Sequence, residues 1–446
     1  MSVLEQLQDF LRIPSISTSP EHIADCRRAA EWVRQFLLDA GLRKTMLIEK
    51  DGQHPLVYAE WLEAPGQPTL LLYGHYDVQP PDPLELWISP PFEPTIRGED
   101  IFARGACDDK GQVMILLEAL RRTLQDTGRL PINVKVLIEG EEESNGANLV
   151  SYVSANAARL SADAALICDT ELFAPGLPTL CTGLRGGVFG ELHVHGAAQD
   201  LHSGVYGGAA PNAVEAAAQI IAALKGVDGV VRIPGFYDGV QPPDPEELAT
   251  WKTLPFNEAE YLKREVGSVA LTGEAGYSVL ERTWARPTLE VHGIVGGFVA
   301  KGFKTVIPAK AHAKISCRLV PGQDPDQIVT VMRKAIAKAT PPGIVSRFDV
   351  FSSGPASLVN PSHPILRAAA QALAETFGRP TVYMRSGGSI PVVGLFQQAL
   401  GIPSVLMGFG LPDDNLHAPN EKFHLPNLYK GIESVSKFLT VLTKVP

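Results

Sequence analysis

The chain has 446 residues, 45% of them hydrophobic, with 39 basic and 49 acidic side chains and a formal net charge of -10. That length exceeds the size at which single cores stop growing, so two domains are expected. The mild acidity and the lack of any long basic block argue against nucleic acid or an anionic membrane as partner, and no apolar run is long enough to span a bilayer. Five widely spaced cysteines, Cys26, Cys107, Cys168, Cys181 and Cys317, with no Cys-x-x-Cys, point to a reducing, cytoplasmic setting.

Residues 1–11 mix acids with apolar side chains and carry no basic leader, which predicts an amphipathic helix and not a signal peptide. The apolar run 70–73 predicts a strand that leads into His75 and Asp77. In 111–124, Val113, Leu116, Leu117, Leu120 and Leu124 recur at helical spacing, with Asp108-Asp109 just ahead. Runs 133–138 and 164–168 predict two more strands, followed by Glu139-Gly140-Glu141-Glu142-Glu143 and by Asp169. This alternation predicts an α/β fold, a mostly parallel sheet with helices on both faces. From Gly186 the pattern becomes β-α-β-β-α-β: strands near 188–194, 287–294, 311–319 and 347–351, with helices at 212–224 and 326–339. That order predicts a ferredoxin-like α+β unit, with an insertion at 226–281 that the pattern leaves unplaced. After Ser357 the first texture returns, with a helix at 363–377 and a strand at 402–407. The predicted organisation is a catalytic domain made of 1–184 and 358–446, interrupted by a lid at 185–357.

Open α/β sheets bind ligands beyond the C-terminal ends of their strands. Here those ends carry His75, Asp77, the acids 139–143 and Asp169, and the strand near 402 leads through Gly408-Phe409-Gly410 to Asp413, Asp414 and His417. A metal-bound imidazole donates its other N–H to a carboxylate, which is how His75-x-Asp77 reads. Packed carboxylates repel unless cations neutralise them. Two histidines and three carboxylates, one bridging, suit two metals about 3.5 to 4 Å apart, and a spare glutamate beside a ligand suits a general base. Singly, each residue has a plainer reading: a solvated acidic loop, a helix cap, a surface histidine. Cys107 and Cys168 adjoin ligand candidates but read as small buried packers, and His193 with His195 reads as a half-exposed strand face. The Gly-Gly pairs at 186–187, 207–208, 296–297 and 387–388 lack phosphate-loop spacing and read as turns or close backbone approaches.

The segments 72–80, 104–111 and 139–144 resemble the di-metal peptidases of metallopeptidase family 20, and within it the carnosinase-like cytosolic nonspecific dipeptidases. Asp200-Leu201-His202-Ser203-Gly204, Lys304-Thr305-Val306-Ile307-Pro308, Arg318-Leu319-Val320-Pro321, Gly387-Gly388-Ser389-Ile390-Pro391 and His417-Ala418-Pro419-Asn420-Glu421 are similar to that branch as well. The resemblance implies a phosphorylase/hydrolase-like di-zinc peptidase domain with a ferredoxin-like lid that dimerises. It implies His75 and Asp169 on one metal, Glu143 and His417 on the other, and Asp108 bridging. It further implies Glu142 as the base activating a metal-bridging water, Asp77 as the orienter of His75, and His202 reaching the partner's site to stabilise an oxyanion. Arg318 would pair with the substrate carboxylate, with Thr305, Ser389 and His417 contacting substrate. The expected cofactors are two divalent ions, Zn2+ first, Mn2+ or Co2+ also suiting the donors. The expected reaction is cleavage of dipeptides or similarly short peptides with a free C-terminus. An N-acyl amino acid deacylase or carboxypeptidase of the same family is the nearest alternative, and a non-catalytic binding protein retaining the fold a more distant one.

Overall fold

The computed structural model describes residues 1–144 and 146–445. The chain forms two units, the first from 1–182, 359–384 and 395–446, the second from 183–358 and 385–394. The segment 385–394 thus sits with the second unit instead of returning with the C-terminal third. Arg185 and Arg318 hold it there through hydrogen bonds to Gly387, Gly388 and Ser389.

The first unit is built on a mixed sheet whose strands lie side by side in the order Lys44–Ile48, Leu56–Trp61, Asn133–Glu139, Thr69–His75, Ala164–Ile167, Ser404–Leu406 and Thr179–Leu184. Its centre is parallel: Asn133–Glu139, Thr69–His75, Ala164–Ile167 and Ser404–Leu406 all run the same way, while the flanking strands are antiparallel. Leu70, Leu71, Leu72 and Tyr73 are all buried, as expected of a parallel strand covered on both faces. The helix Lys110–Thr127 buries its first eleven residues, Lys110 through Leu120, against this sheet and the helix Leu425–Leu442. Gly74 permits that approach, because a Cβ there would lie 2.6 Å from Val113 and 2.8 Å from Asp109 Oδ2.

The N-terminal helix Val3–Leu11 begins with a capping box between Ser2 and Glu5 and buries Val3, Leu7, Phe10 and Leu11. Each fully buried side chain of this kind contributes about 1.5–3 kcal/mol. Its C-terminal end is fastened to the helix Lys110–Thr127 by Lys110, whose Nζ donates to Phe10 O (3.2 Å) and Ile13 O (2.6 Å). Burial without a carboxylate partner pulls that ammonium down to about 7.

The second unit carries a four-stranded antiparallel sheet in the order Thr288–Gly296, Lys310–Leu319, Gly186–His195 and Val345–Gly354. Val188, Leu192 and Val194 alternate onto one face and share a core with the helices Ala213–Leu224 and Pro325–Ala339. The connectivity is ferredoxin-like. The insertion forms the short helices Pro245–Thr253, Tyr261–Val266 and Val279–Trp284. Two bidentate pairs secure it: Arg385 grips Glu247 at 2.7 and 2.5 Å, and Arg286 grips Glu274 at 2.6 and 2.9 Å.

Candidate active site

Three parallel strands of the first unit end at one edge, so His75, the acidic turn after Glu139 and Asp169 are brought together. Asp108 arrives from the loop before the helix Lys110–Thr127, and His417 from a loop in which its own φ is +58°. Asp108 stands between the two histidines. Its Oδ1 lies 3.0 Å from His75 Nε2, and its Oδ2 lies 2.9 Å from His417 Nε2. Glu143 Oε1 is 3.2 Å from the same His417 nitrogen. His75, Asp108 and Asp169 form one group, and Asp108, Glu143 and His417 a second; in each, ligand atoms lie within 4.8 Å of one another.

The donor set fits cations on two further counts. His75 Nε2 and Glu143 Oε1 are buried yet make no aligned hydrogen bond among the described residues, although each has an oppositely charged neighbour within 3.2 Å. One belongs to each ligand group. The charges say the same. Burial, followed by the carboxylates of neighbouring acids, pushes Asp169 well above the ordinary carboxylate range. Burial likewise raises Asp109, whose Oδ2 accepts from His75 N at 3.1 Å. Desolvation would lower His75, but the adjacent carboxylates of Asp108 and Asp77 outweigh it and hold the imidazole well above its usual range. The hydrogen bond to Asp108 and the adjacent Glu143 carboxylate hold His417 up at about 10. A carboxylate-rich cluster that draws protons onto both histidines is one that calls for positive charge, and divalent cations supply it.

Around these residues lies a supporting layer. Asp77 Oδ1 is 3.4 Å from His75 Nδ1, while the main-chain oxygen of Asp77 is nearer, at 3.1 Å. Its Oδ2 accepts from Glu143 N at 3.0 Å, so Asp77 touches both ligand groups. Gln79 donates to Glu143 Oε2 at 2.7 Å. Glu142 sits beside the cluster, pushed up to about 7 by burial, with His75 opposing and Glu143 and Asp108 adding to the shift. The acidic run is therefore not a solvated loop. Glu139 is buried and bonded by the Tyr73 hydroxyl, and Glu141 is buried and accepts from His54 N (2.8 Å) and Asn148 N (3.0 Å).

Glu421 was visible in the sequence only as the end of a motif. Its buried carboxylate accepts from Arg104 Nη1 (2.7 Å) and from the backbone N–H groups of Gly105 (2.9 Å), Cys107 (2.9 Å) and Asp108 (3.1 Å). It thereby fixes the loop that presents Asp108. Asp413 and Asp414, expected among ligand types at the end of the strand near 402, lie in neither ligand group and pair instead with Lys422 at 3.3 and 3.0 Å. Cys107 and Cys168 are buried free thiols outside both groups. His193 pairs with Asp349 at 3.4 Å on a sheet face, also outside them.

The remaining expected residues belong to the second unit. His202 and Thr305 are exposed, on the ribbon formed by Leu201–His202 and Val306–Ile307 and the turn before it. His202 Nδ1 accepts from Gly204 N at 3.0 Å, which places the proton of the neutral ring on Nε2. Arg318 donates from Nη1 to Ser389 Oγ at 2.8 Å, and its guanidinium lies 5.2 Å from the Phe189 ring centroid.

Residues 71–441 match Peptidase family M20/M25/M40. The chain is 32% identical over 408 residues to the Cys-Gly metallodipeptidase dug1 of Schizosaccharomyces pombe, covering 89% of this chain and 85% of that protein. It is 29% identical over 409 residues to the Beta-Ala-His dipeptidase of Homo sapiens, covering 89% and 80%. The solved M20 family metallo-carboxypeptidase Sso-CP2 from Sulfolobus solfataricus superposes with a TM-score of 0.88 at 33% identity, over 100% of both chains. Two ligand groups sharing a buried aspartate, within a chain matched along most of its length, make this protein a member of peptidase family M20/M25/M40 and a metallopeptidase.

Proposed function

We propose that the protein hydrolyses dipeptides and similarly short peptides with a free C-terminal carboxylate, using two divalent cations. The observation that carries this is the pair of ligand groups that share Asp108. His75 and Asp169 would hold one ion, Glu143 and His417 the other, and Asp108 both. When bound, the ions supply Lewis acidity for the scissile carbonyl and acidify the attacking water. Glu142 takes the proton of that water and returns it to the leaving amine; a carboxyl raised to about 7 suits both duties near neutral pH. Asp77 keeps the His75 ring in register from behind. His202, its proton on Nε2, donates to the developing oxyanion. Arg318 receives the substrate carboxylate as a bidentate pair, with Ser389, Thr305 and His417 also contacting substrate.

His202 would act across a homodimer, in the neighbouring subunit. Exposed apolar side chains on the same unit, Val205, Tyr206, Phe298, Val299 and Phe303, support a second copy as the partner. Zinc is the proposed metal, on the mixed imidazole and carboxylate donors, with manganese or cobalt also suited. A cytoplasmic setting is supported by the five free, buried cysteines. The likeness to a metallo-carboxypeptidase favours one second reading, removal of C-terminal residues from longer peptides. A panel of dipeptides, tripeptides, longer peptides and N-acetyl amino acids decides. Dipeptides should be cleaved fastest. Faster cleavage of longer peptides would favour the carboxypeptidase, and exclusive cleavage of acetylated compounds would overturn the proposal.

A further inference from the structure

Arg185 immediately precedes the strand Gly186–His195 and is clamped by a single loop. Its backbone N–H donates to Gly388 O (3.1 Å), its Nε donates to Gly387 O (3.0 Å), and its carbonyl accepts from Ser389 Oγ. The same Ser389 Oγ accepts from Arg318 Nη1. One hydroxyl therefore joins two arginines. The packing at Gly387 is close, since a Cβ there would lie 2.9 Å from Arg185 Nη2 and 3.0 Å from Thr283 O.

Two like charges held this way need an anion. Burial pulls Arg318 down, and Arg185, also pulled down by burial, is further opposed by the Arg318 charge. Glu290, the acid whose field favours the Arg185 charge, is already paired with Lys225 at 3.0 Å. Neither guanidinium has a carboxylate within ion-pair distance among the described residues. Burial pulls Arg185 down to about 10, so the cost of keeping it charged is carried by the free protein. Partly buried guanidiniums are ordinarily matched by a carboxylate or phosphate, whose geometry their forked donors fit.

We propose that Arg185 is a specificity-determining residue for the leaving amino acid: with Arg318 and Ser389 it forms a doubly cationic subsite for the free carboxylate at the substrate's C-terminus. Arg318 meets the carboxylate. Arg185 adds the second positive charge and holds Ser389 in the position from which it braces Arg318. The inference rests on the assignment of Arg318 to the substrate carboxylate.

The test compares a dipeptide with its C-terminal amide in Arg185→Met, Arg185→Lys and Arg318→Met, on metal-loaded enzyme. In Arg185→Met the KM for the free dipeptide should rise about tenfold, from loss of the second positive charge and of the brace on Arg318. Its kcat should stay within about twofold, and kcat/KM for the amide should fall less than about twofold. Arg185→Lys, which keeps the charge but loses the grip on Gly387, should fall between the two. Equal losses on dipeptide and amide, or a KM for the dipeptide unmoved in both Arg185 variants, would overturn the inference. An Arg318→Met variant that still discriminates dipeptide from amide would instead overturn the assignment beneath it. Loss of discrimination in Arg318→Met alone would leave that assignment standing and remove Arg185 from the subsite.

Discussion

Replacing Glu421 by Gln tests whether Asp108 is positioned from behind. The substitution keeps the shape but leaves the buried Arg104 without its counter-charge and turns one carboxylate oxygen into a donor. That donor must face either Arg104 and Gly105 N or Cys107 N and Asp108 N, because each oxygen now accepts from one of these pairs. Breaking a buried ion pair from one side costs about 3–5 kcal/mol. A buried N–H left without an acceptor costs about 1–3 kcal/mol more. The expected result is a stability loss of at least about 3 kcal/mol in guanidinium denaturation of the metal-free protein. Because Asp108 N is one of the anchored groups, affinity for zinc should also fall, by about 10- to 100-fold in a competition titration with a chromophoric chelator. Ordinary buried pairs can be exchanged for apolar residues with little loss. Here Arg104→Met with Glu421→Leu should not recover stability, since the three backbone N–H groups would still lack an acceptor. A Glu421→Gln protein within about 0.5 kcal/mol of the parent, with unaltered zinc affinity, would refute the reasoning.

Glu142→Ala should lower turnover by at least about 100-fold while elemental analysis still finds both metals; near-normal turnover would remove Glu142 as the base. Asp77→Asn should weaken metal binding about 10- to 100-fold, because Asp77 faces His75 Nδ1 and also accepts from Glu143 N; unchanged affinity in the same titration would contradict that role. Burial pushes Glu139 up from 4.5 to about 8, so the folded, metal-free protein holds a proton there that the unfolded chain has released. Its stability should therefore decline as pH rises from about 5 to 8, and Glu139→Gln should flatten that slope in denaturation series at the two pH values. Identical slopes for the two proteins would argue against a protonated Glu139.

The central strands were legible because their apolar runs stop at ligand-type residues, and the lid was legible because Val188, Leu192 and Val194 keep a period of two beside helices of period 3.6. The histidines and acids of the site could be picked out for the same reason: each follows a strand or precedes a helix whose pattern is strong. What stayed hidden depends on contacts far apart in sequence. Glu421 acts on residues 104–108 from the other end of the chain, and nothing within its own motif shows that. Arg185 reads as a lone arginine before two glycines until the loop at 387–389 folds over it. The insertion has readable local caps, such as Ser278 with Glu281, but its attachment through Glu247 to Arg385 is a tertiary choice. Asp414 has the residue type and strand-end position of a ligand, yet the nearby Lys422 takes it.

Titrating metal-stripped protein with zinc while following hydrolysis of a dipeptide tests the two-ion site most directly. Activity should be absent in chelator, appear on addition of zinc and reach its plateau at two equivalents per chain. A plateau at one equivalent, or hydrolysis that persists in the metal-free protein, would contradict a site built from two ligand groups on one shared aspartate.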